Sequence, residues 1–307
     1  MVARAVSAES LVIGVDVGGT KILAGVVDRE GTVHARHEVE SPERSEEEVL
    51  EALDAAVDKL LDDTIAALGY GIPSNLERGS ERILRATNLP LDDFDLVAHA
   101  RARFGLPVGI ENDGNAAALA EYVLGAGRGT SNLLMLTLGT GVGGGLVLDG
   151  RLYRSWVELG HVVLRAGGPP CQGTCHGHGH VEALVSGTAA DRAARELYGP
   201  DADAPRLLER AREGDEAALA KLGEIAELLG AAIGSLANIF DPEVVVVGGG
   251  FGEAASDFLL APAQEAARRE ALSPADESLR VVPTELGGDA GLLGAGLIAF
   301  EALDESG

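Results

Sequence analysis

The sequence predicts an α/β protein of two lobes, each built from a mixed β-sheet with helices. Apolar runs rich in β-branched residues, typical of buried strands, alternate with segments that have the apolar spacing of helices. Two sets of strands each contain a Gly/Thr turn, at residues 18–20 and 139–141, which indicates an internal duplication of the architecture. A chain of 307 residues is long enough for two hydrophobic cores.

The N-terminal half begins with apolar runs at 11–16 and 22–27 and a more polar strand at 32–39, which together predict an antiparallel meander. Apolar residues then recur at helical spacing over 46–68. The pattern further predicts a short strand at 107–110 and an alanine-rich helix at 114–124.

The second half repeats this order. Strands are predicted at 132–138, 143–148 and 151–153, followed by a loop at 167–180 that is dense in Gly, Cys, His and Pro. The remaining predicted elements are helices at 181–198, 204–212, 217–240 and 290–303, a buried strand at 244–247 and a short strand near Val281.

Charge and hydropathy exclude several classes of function. The formal net charge is −25, from 49 acidic and 24 basic residues, and this field repels nucleic-acid phosphates. No apolar stretch reaches the roughly 20 residues of a membrane span. The polar segment 1–10 lacks a signal-peptide core, so we expect a cytoplasmic protein with neither nucleic acid nor membrane as partner.

Two glycine-rich turns are candidates for phosphate binding. The first is formed by Asp16, Val17, Gly18, Gly19, Thr20 and Lys21. The second spans 138–145 and contains Thr140 and Gly141. Glycine lets backbone N–H groups approach phosphate oxygens, and the carboxylate of Asp16 suits Mg²⁺. The alternative for the first turn is an ordinary hairpin. Residues 244–250 add a buried strand that ends in three glycines and suits an adenosine moiety, although this signal is weak alone.

A carboxylate at a predicted strand–helix junction is the candidate general base. Asp113 lies at this junction, where it can accept a proton from a sugar hydroxyl. Its neighbour Asn112 offers both a donor and an acceptor to sugar hydroxyls. The alternative is that either residue only caps the helix.

A Cys/His cluster predicts a structural zinc site. His161, Cys171, Cys175 and His180 supply four zinc-type ligands within twenty residues. His176 and His178 are alternative candidates for the fourth ligand. Two cysteines this close in a cytosolic protein favour metal binding over a disulfide.

Together these motifs resemble the ROK family, which contains glucokinases, other hexose kinases and sugar-responsive repressors. The motifs that carry the resemblance occupy residues 16–21, 111–113, 138–145, 158–161 and 179–182. The resemblance implies an actin-like, ribonuclease-H-like ATPase fold, and we expect a lobe at 1–115 completed by a helix at about 292–307, and a larger lobe at 116–291 that carries the zinc loop. It also implies a homo-oligomer, dimer or tetramer.

The resemblance further implies a role for each site residue. Asp113 is expected to be the base toward the sugar 6-hydroxyl. The expected sugar ligands are Asn88, Asn112, Asp113, Glu158, His161 and Glu182. The residues expected around ATP and Mg²⁺ are Asp16, Gly18, Gly19, Thr20, Lys21, Thr140 and Gly141, with Gly248, Gly249 and Gly250 near the adenosine.

The sequence departs from the family pattern in two places. Before Glu158, residues 154–157 replace a longer Gly/Ala-rich segment. In the zinc loop, His180 takes the place of a cysteine.

ATP-dependent phosphorylation of glucose is the expected reaction. Fructose, mannose or an N-acetylhexosamine as substrate, polyphosphate as donor, and a non-catalytic sugar sensor remain alternatives. A repressor is not expected, because the first strand begins near residue 11 and leaves no room for a DNA-binding domain.

Overall fold

The computed structural model describes residues 10–42, 45–77, 80–87 and 89–307, and it has the predicted α/β class. The elements follow in the order β1 (Leu11–Val17), β2 (Lys21–Val27), β3 (Val33–Glu40), α1 (Glu46–Asp58), β4 (Ile65–Ile72), β5 (Ser74–Leu76), β6 (Ile83–Ala86), α2 (Leu96–Phe104), β7 (Val108–Asn112), α3 (Asp113–Val123), β8 (Leu133–Leu138), β9 (Val142–Leu148), β10 (Arg151–Leu152), α4 (Val181–Val185), α5 (Gly187–Tyr198), α6 (Ala204–Arg212), α7 (Glu216–Phe240), β11 (Val244–Gly248), α8 (Gly250–Ala254), α9 (Ser256–Glu270), α10 (Ala275–Ser278), β12 (Arg280–Pro283) and α11 (Ala290–Ser306).

The first of two compact units runs to Leu124 and also contains Arg154–Trp156 and Asp289–Gly307. Its sheet has the strand order β3-β2-β1-β4-β7. The β1–β2 and β2–β3 pairs are antiparallel, which confirms the predicted meander. The β1–β4 and β4–β7 pairs are parallel.

The second unit comprises Gly125–Tyr153 and Val157–Gly288. Its sheet has the order β10-β9-β8-β11-β12, with antiparallel pairs on the β9 side of β8 and parallel pairs on the β11 side. Both units therefore place an antiparallel meander beside parallel strands. This confirms the predicted duplication of mixed sheets.

The chain crosses between the units after α3, whereas the sequence-based division fell at residue 115, inside that helix. Helix α3 stays with the first unit because it packs against α11 through backbone. A Cβ added to Gly294 of α11 would lie 2.0 Å from the carbonyl oxygen of Ala116. Two helices whose backbones pack this closely belong to the same compact unit.

Two local predictions were wrong, and several elements, among them α2 and α9, were not predicted. The helix predicted to Leu68 ends at Asp58, and β4 begins at Ile65 after a turn in which Asp62 accepts hydrogen bonds from Thr64. The helix predicted over 181–198 is divided at Ser186, whose hydroxyl instead caps α5. Strands β5 and β6 were not predicted, because their short segments carry no apolar alternation.

Helix α7 is the one described helix that is long and apolar enough to cross a membrane. More than half of its most apolar window is buried inside the fold, where Gly230 and Gly234 lie against the backbone of α9. Core helices of this kind pass the same test of length and composition, so the helix is weak evidence for a membrane span.

Helix α11 covers the first sheet at backbone contact distance. A Cβ added to Gly14 of β1 would lie 2.5 Å from the carbonyl oxygen of Leu292. A Cβ added to Gly69 of β4 would lie 2.0 Å from the carbonyl oxygen of Ala295. Side chains of any size at these two positions would push the helix off the sheet, so glycine is required for this packing.

We predict that Gly69→Ala lowers the free energy of unfolding of the first unit by about 1–3 kcal/mol, because the added methyl group overlaps the α11 backbone. Urea denaturation followed by the fluorescence of Trp156, the only tryptophan and a residue of the first unit, measures this. Gly71→Ala is the matched control in the same strand, since its Cβ would lie 3.4 Å from Ala116 Cβ, an ordinary contact. Equal losses for both variants would contradict the prediction.

Candidate active site and metal centre

Acidic side chains meet at the carboxyl end of the parallel strands in the first unit. Asp16 of β1 is in register with Gly71 of β4, and Gly71 is in register with Glu111 of β7. Asp113 follows as the first residue of α3. Because the ends of adjacent parallel strands lie along one edge, the sheet brings these carboxylates to the same place.

The Asp16 carboxyl has a strongly perturbed pKa. Burial, and then the nearby charge of Asp113, raise the pKa of Asp16 to about 7, while the charge of Lys21 acts in the opposite direction. A Cβ on Gly291 at the start of α11 would lie 2.6 Å from this carboxylate, so glycine leaves the space that Asp16 occupies. A carboxylate that is costly to ionise alone is suited to a cation partner.

The glycine turn that follows Asp16 is a short β1–β2 connection in which Gly18 N–H donates to the carbonyl of Lys21 over 2.8 Å. The Lys21 ammonium pairs with Glu38 of β3 at 2.9 Å, and both side chains are more than half exposed. Thr20 is exposed, and Gly18 and Gly19 are partly exposed. The turn therefore presents its backbone at the same strand end as Asp16.

Glu111 is a buried carboxylate whose partners hold the β7–α3 junction. Its Oε1 accepts the Asn112 N–H at 2.9 Å and the Asn115 amide at 3.0 Å. Its Oε2 accepts Arg154 Nη1 at 3.2 Å, and Arg154 also pairs with Glu301 of α11. The three donors compensate the charge of Glu111 and fix the backbone directly before Asp113.

Asn112 caps α3, which is the alternative interpretation that the sequence left open. Its Oδ1 accepts the Asn115 N–H at 3.1 Å, and its Nδ2 donates to the Ser74 carbonyl at 3.1 Å. The amide retains a second N–H and a second lone pair. Asn88, the other predicted sugar ligand of this half, lies outside the described residues.

The second glycine turn joins β8 to β9 and is held by side chains. Gly139 N–H donates to the Gly141 carbonyl at 3.0 Å. The carbonyl of Thr140 accepts Gln172 Nε2 at 2.7 Å and Thr188 Oγ1 at 2.8 Å. Glu182 accepts the Val142 N–H at 3.0 Å.

The predicted adenosine segment lies beside this turn. Strand β11 pairs with β8 in parallel, so Gly248 to Gly250 follow the strand end next to Leu138. Gly249 has φ +81°, and a Cβ there would lie 2.7 Å from the backbone of Leu138. The close approach and the positive φ both require glycine at this position.

The four predicted zinc ligands form one cluster in the second unit. The candidate ligand atoms of His161, Cys171, Cys175 and His180 all lie within 4.8 Å of one another. The two histidine Nδ1 atoms are 3.3 Å apart, and each cysteine sulfur is 3.6–3.7 Å from a histidine Nδ1. His176 and His178 are exposed. Tetrahedral zinc with its usual bond lengths would place two nitrogens about 3.3 Å apart and a nitrogen and a sulfur about 3.6 Å apart. The donor set therefore fits zinc.

His161 connects this cluster to a second predicted role. Its Nδ1 faces the cysteines, while its Nε2 lies 3.9 Å from the carboxylate of Glu158 on the exposed side. One imidazole can thus serve a metal through one nitrogen and a sugar hydroxyl through the other. Glu182, a predicted sugar ligand, also contacts a predicted zinc ligand, because its Oε1 accepts the thiol of Cys171 at 3.4 Å. Burial raises the pKa of that thiol to about 12, and Glu182 adds to the shift.

Sequence reasoning missed several residues that hold the predicted ones. Gln172 and Thr188 bind the Thr140 carbonyl, and Arg154 binds Glu111. The only sequence signal for a role of Gln172 was its position between the two cysteines of the predicted zinc site. Trp156, in the segment 154–157 that departs from the family pattern, is half exposed and donates to the Leu76 carbonyl at 2.7 Å.

We predict that Asp16→Asn stabilises the ligand-free protein at pH 8, by on the order of 2 kcal/mol for a partly exposed carboxyl, and that the gain fades toward pH 4. The folded pKa of about 7 lies above the ordinary 3.8, so the native state holds this proton more tightly than the unfolded chain does. Stability from this group is therefore lost as the pH rises between these values, and asparagine removes the loss.

Thermal and urea unfolding from pH 4 to pH 8 without magnesium or nucleotide measure this difference. The exposed Asp201→Asn serves as the control for loss of one negative charge. A difference between Asp16→Asn and the natural protein that does not change with pH would refute the assignment.

Comparison with known proteins agrees with these features. The ROK family profile matches residues 12–302. A glucokinase of Streptomyces coelicolor is 34% identical over 314 residues, which cover 95% of this chain and 98% of that protein. The solved ROK hexokinase of Thermus thermophilus is 37% identical with a TM-score of 0.83, covering 96% of this chain and 99% of that one.

A ROK family glucokinase from Streptomyces griseus, solved in complex with glucose and AMPPNP, is 33% identical with a TM-score of 0.82. That comparison covers 95% of this chain and all of the other. Since the family profile spans nearly the whole chain and these relatives match it almost end to end, the chain belongs to the ROK family.

Proposed function

We propose that this chain catalyses the ATP-dependent phosphorylation of a hexose at its 6-hydroxyl, with glucose as the preferred substrate. The observation that carries the proposal is the pair of carboxylates at one strand edge, where Asp113 begins α3 and helps to raise the pKa of Asp16 to about 7. One of these groups suits proton transfer and the other suits a cation. Their occurrence in a member of the ROK family with glucokinase relatives favours sugar phosphorylation.

In this proposal Asp113 is the general base. It accepts the proton of the sugar 6-hydroxyl while that oxygen bonds to the γ-phosphorus and the bond to the ADP oxygen breaks. Glu111 and its donors fix the backbone directly before Asp113. Most of the rate enhancement then comes from positioning and charge neutralisation.

The predicted phosphate and cation ligands keep their assignments. Asp16 offers a carboxylate oxygen of the kind that Mg²⁺ prefers, and Mg²⁺ bound with ATP supplies charge neutralisation on the phosphates. Gly18, Gly19, Thr20 and Lys21 in the first unit are assigned to the phosphates. In the second unit, Thr140 and Gly141 are assigned to the phosphates, and Gly248, Gly249 and Gly250 to the adenosine.

The sugar ligands are assigned to Asn88 and Asn112 in the first unit and to Glu158, His161 and Glu182 in the second. Two observations support this set. Beyond its two bonds to described residues, the Asn112 amide has a second N–H and a second lone pair. The Nε2 of His161 lies on the side of Glu158, away from the Cys/His cluster.

We predict sugar-dependent ADP release with ATP and magnesium, strongest with glucose, and a loss of about 100- to 10,000-fold in kcat for Asp113→Asn. The isosteric amide keeps the hydrogen-bonding shape but takes no proton, so the KM for glucose should change much less. A coupled assay over a panel of hexoses measures this, and the exposed Asp201→Asn is the control.

The other outcomes are informative. Faster turnover of another hexose would keep the mechanism and change the substrate. Activity with polyphosphate and not with ATP would replace the donor. No phosphorylation with any sugar and either donor would refute the kinase and favour a sugar sensor.

We further propose that His161, Cys171, Cys175 and His180 hold a structural zinc ion. A closed set of four Cys/His ligands leaves no open position for a substrate, and such a site stabilises a loop without secondary structure. The match of the donor distances to tetrahedral zinc supports this.

We predict about one zinc ion per purified chain, lost in Cys171→Ser and in Cys175→Ser and retained in His176→Ala and His178→Ala. The two exposed histidines are matched controls because they lie in the same loop outside the cluster. Elemental analysis of the purified variants measures the metal. Zinc loss in the His176 or His178 variants would reassign the ligands, and a zinc-free natural protein would refute the site.

A cytoplasmic location and a homo-oligomer, dimer or tetramer, complete the proposal. The location is supported by the use of ATP and by the two free cysteines, which fit a reducing compartment. The oligomer rests on the family resemblance alone.

A further inference from the structure

The carbonyl of Thr140 is held by two side chains from different segments. Gln172 Nε2 donates to it at 2.7 Å, and Thr188 Oγ1 donates at 2.8 Å. Gln172 directly follows Cys171 in the loop at 167–180, called the metal loop below, and Thr188 lies in the first turn of α5. A carbonyl has two lone pairs, so these two bonds use its full capacity and fix its direction.

Fixing this carbonyl also fixes the amide on the other side of the same peptide. The peptide unit is planar and trans, so the Gly141 N–H points away from the Thr140 oxygen. Within the described part of the chain, this N–H has no acceptor, whereas the next amide, that of Val142, donates to Glu182. The two side chains therefore hold one free donor in a set direction before any anion arrives.

Gln172 contacts Thr140 from within the metal loop. The cluster brings Cys171 and Cys175 to His161 and His180, and Gln172 lies between the two cysteines. Cys171 also donates to Glu182, the residue that accepts the Val142 N–H of the turn. The loop thus contacts the turn through two side chains next to its ligands.

We propose that Gln172 is a positioning residue that couples metal binding in the loop to the affinity of the Gly139–Gly141 turn for the phosphates of the nucleotide. This rests on the proposed function only in its assignment of the turn to nucleotide phosphates. Zinc held by the loop would act on the nucleotide through Gln172 and the Thr140 peptide.

The first test uses binding, so it does not depend on turnover. Gln172→Leu keeps the size of the side chain and removes its donor, and Thr188→Val does the same on the other side of the carbonyl. Calorimetry should show MgADP binding weakened about threefold to tenfold in each variant, the effect of losing one hydrogen bond, while adenosine binding is unchanged. The matched control is Thr174→Val in the same loop, whose exposed hydroxyl has no hydrogen-bond partner among the described residues.

Metal analysis accompanies each variant. Gln172→Leu should retain as much zinc as the natural protein, because Gln172 is not in the cluster. Equal weakening of MgADP and adenosine, or loss of zinc from Gln172→Leu, would reduce Gln172 to a structural role and overturn the proposal. Unchanged MgADP binding would overturn it as well.

The second test removes the metal with a zinc-selective chelator. Zinc-free natural protein should bind MgADP as weakly as zinc-loaded Gln172→Leu, and removing zinc from Gln172→Leu should cost little more. Additive losses would show that metal and Gln172 act independently and would overturn the coupling. A protein that binds MgADP and shows this pattern without phosphorylating a sugar would uphold the inference while refuting the kinase; one that binds neither MgADP nor tripolyphosphate would refute both.

Discussion

The parallel pairing of β1, β4 and β7 decides where the chemistry of the first unit is placed. Register across the three strands sets Asp16, Gly71 and Glu111 in one row, and α3 starts two residues later with Asp113. Helix α11 covers the same sheet at backbone distance, which the glycines of β1 and β4 permit. The strand pairing thus places the carboxylates, and the close packing of α11 supports the sheet that carries them.

The buried carboxylates of Glu111 and Asp16 have different surroundings. Glu111 has an arginine and two amide donors, so its charge is compensated within the unit. Asp16 has no such set among the described residues, and burial, followed by the charge of Asp113, raises its pKa to about 7. The charge of Glu111 is thus compensated by Arg154, whereas an added positive charge would lower the cost of ionising Asp16.

The sequence predicted the elements and residues that depend on local patterns. Both meanders, both glycine turns and the Cys/His cluster come from spacing within short segments. The helix end at Asp58 was missed because apolar residues continue at helical spacing into β4, and only the turn at Asp62 interrupts them. The bonds of Arg154 to Glu111 and of Gln172 to Thr140 join residues 43 and 32 positions apart, and no local pattern encodes such contacts.

In the second unit, the glycine turn at 139–141 needs outside support, because a glycine-rich turn is flexible unless other groups fix its peptides. Side chains provide that order here: Gln172 and Thr188 donate to the Thr140 carbonyl, and Glu182 accepts the Val142 N–H. Two of the three lie in or just after the metal loop, and His161 presents one nitrogen to that loop and the other toward Glu158. A metal ion held by the four Cys/His side chains would order groups assigned to both substrates, because His161 and the neighbours of the cysteines connect the cluster to those groups.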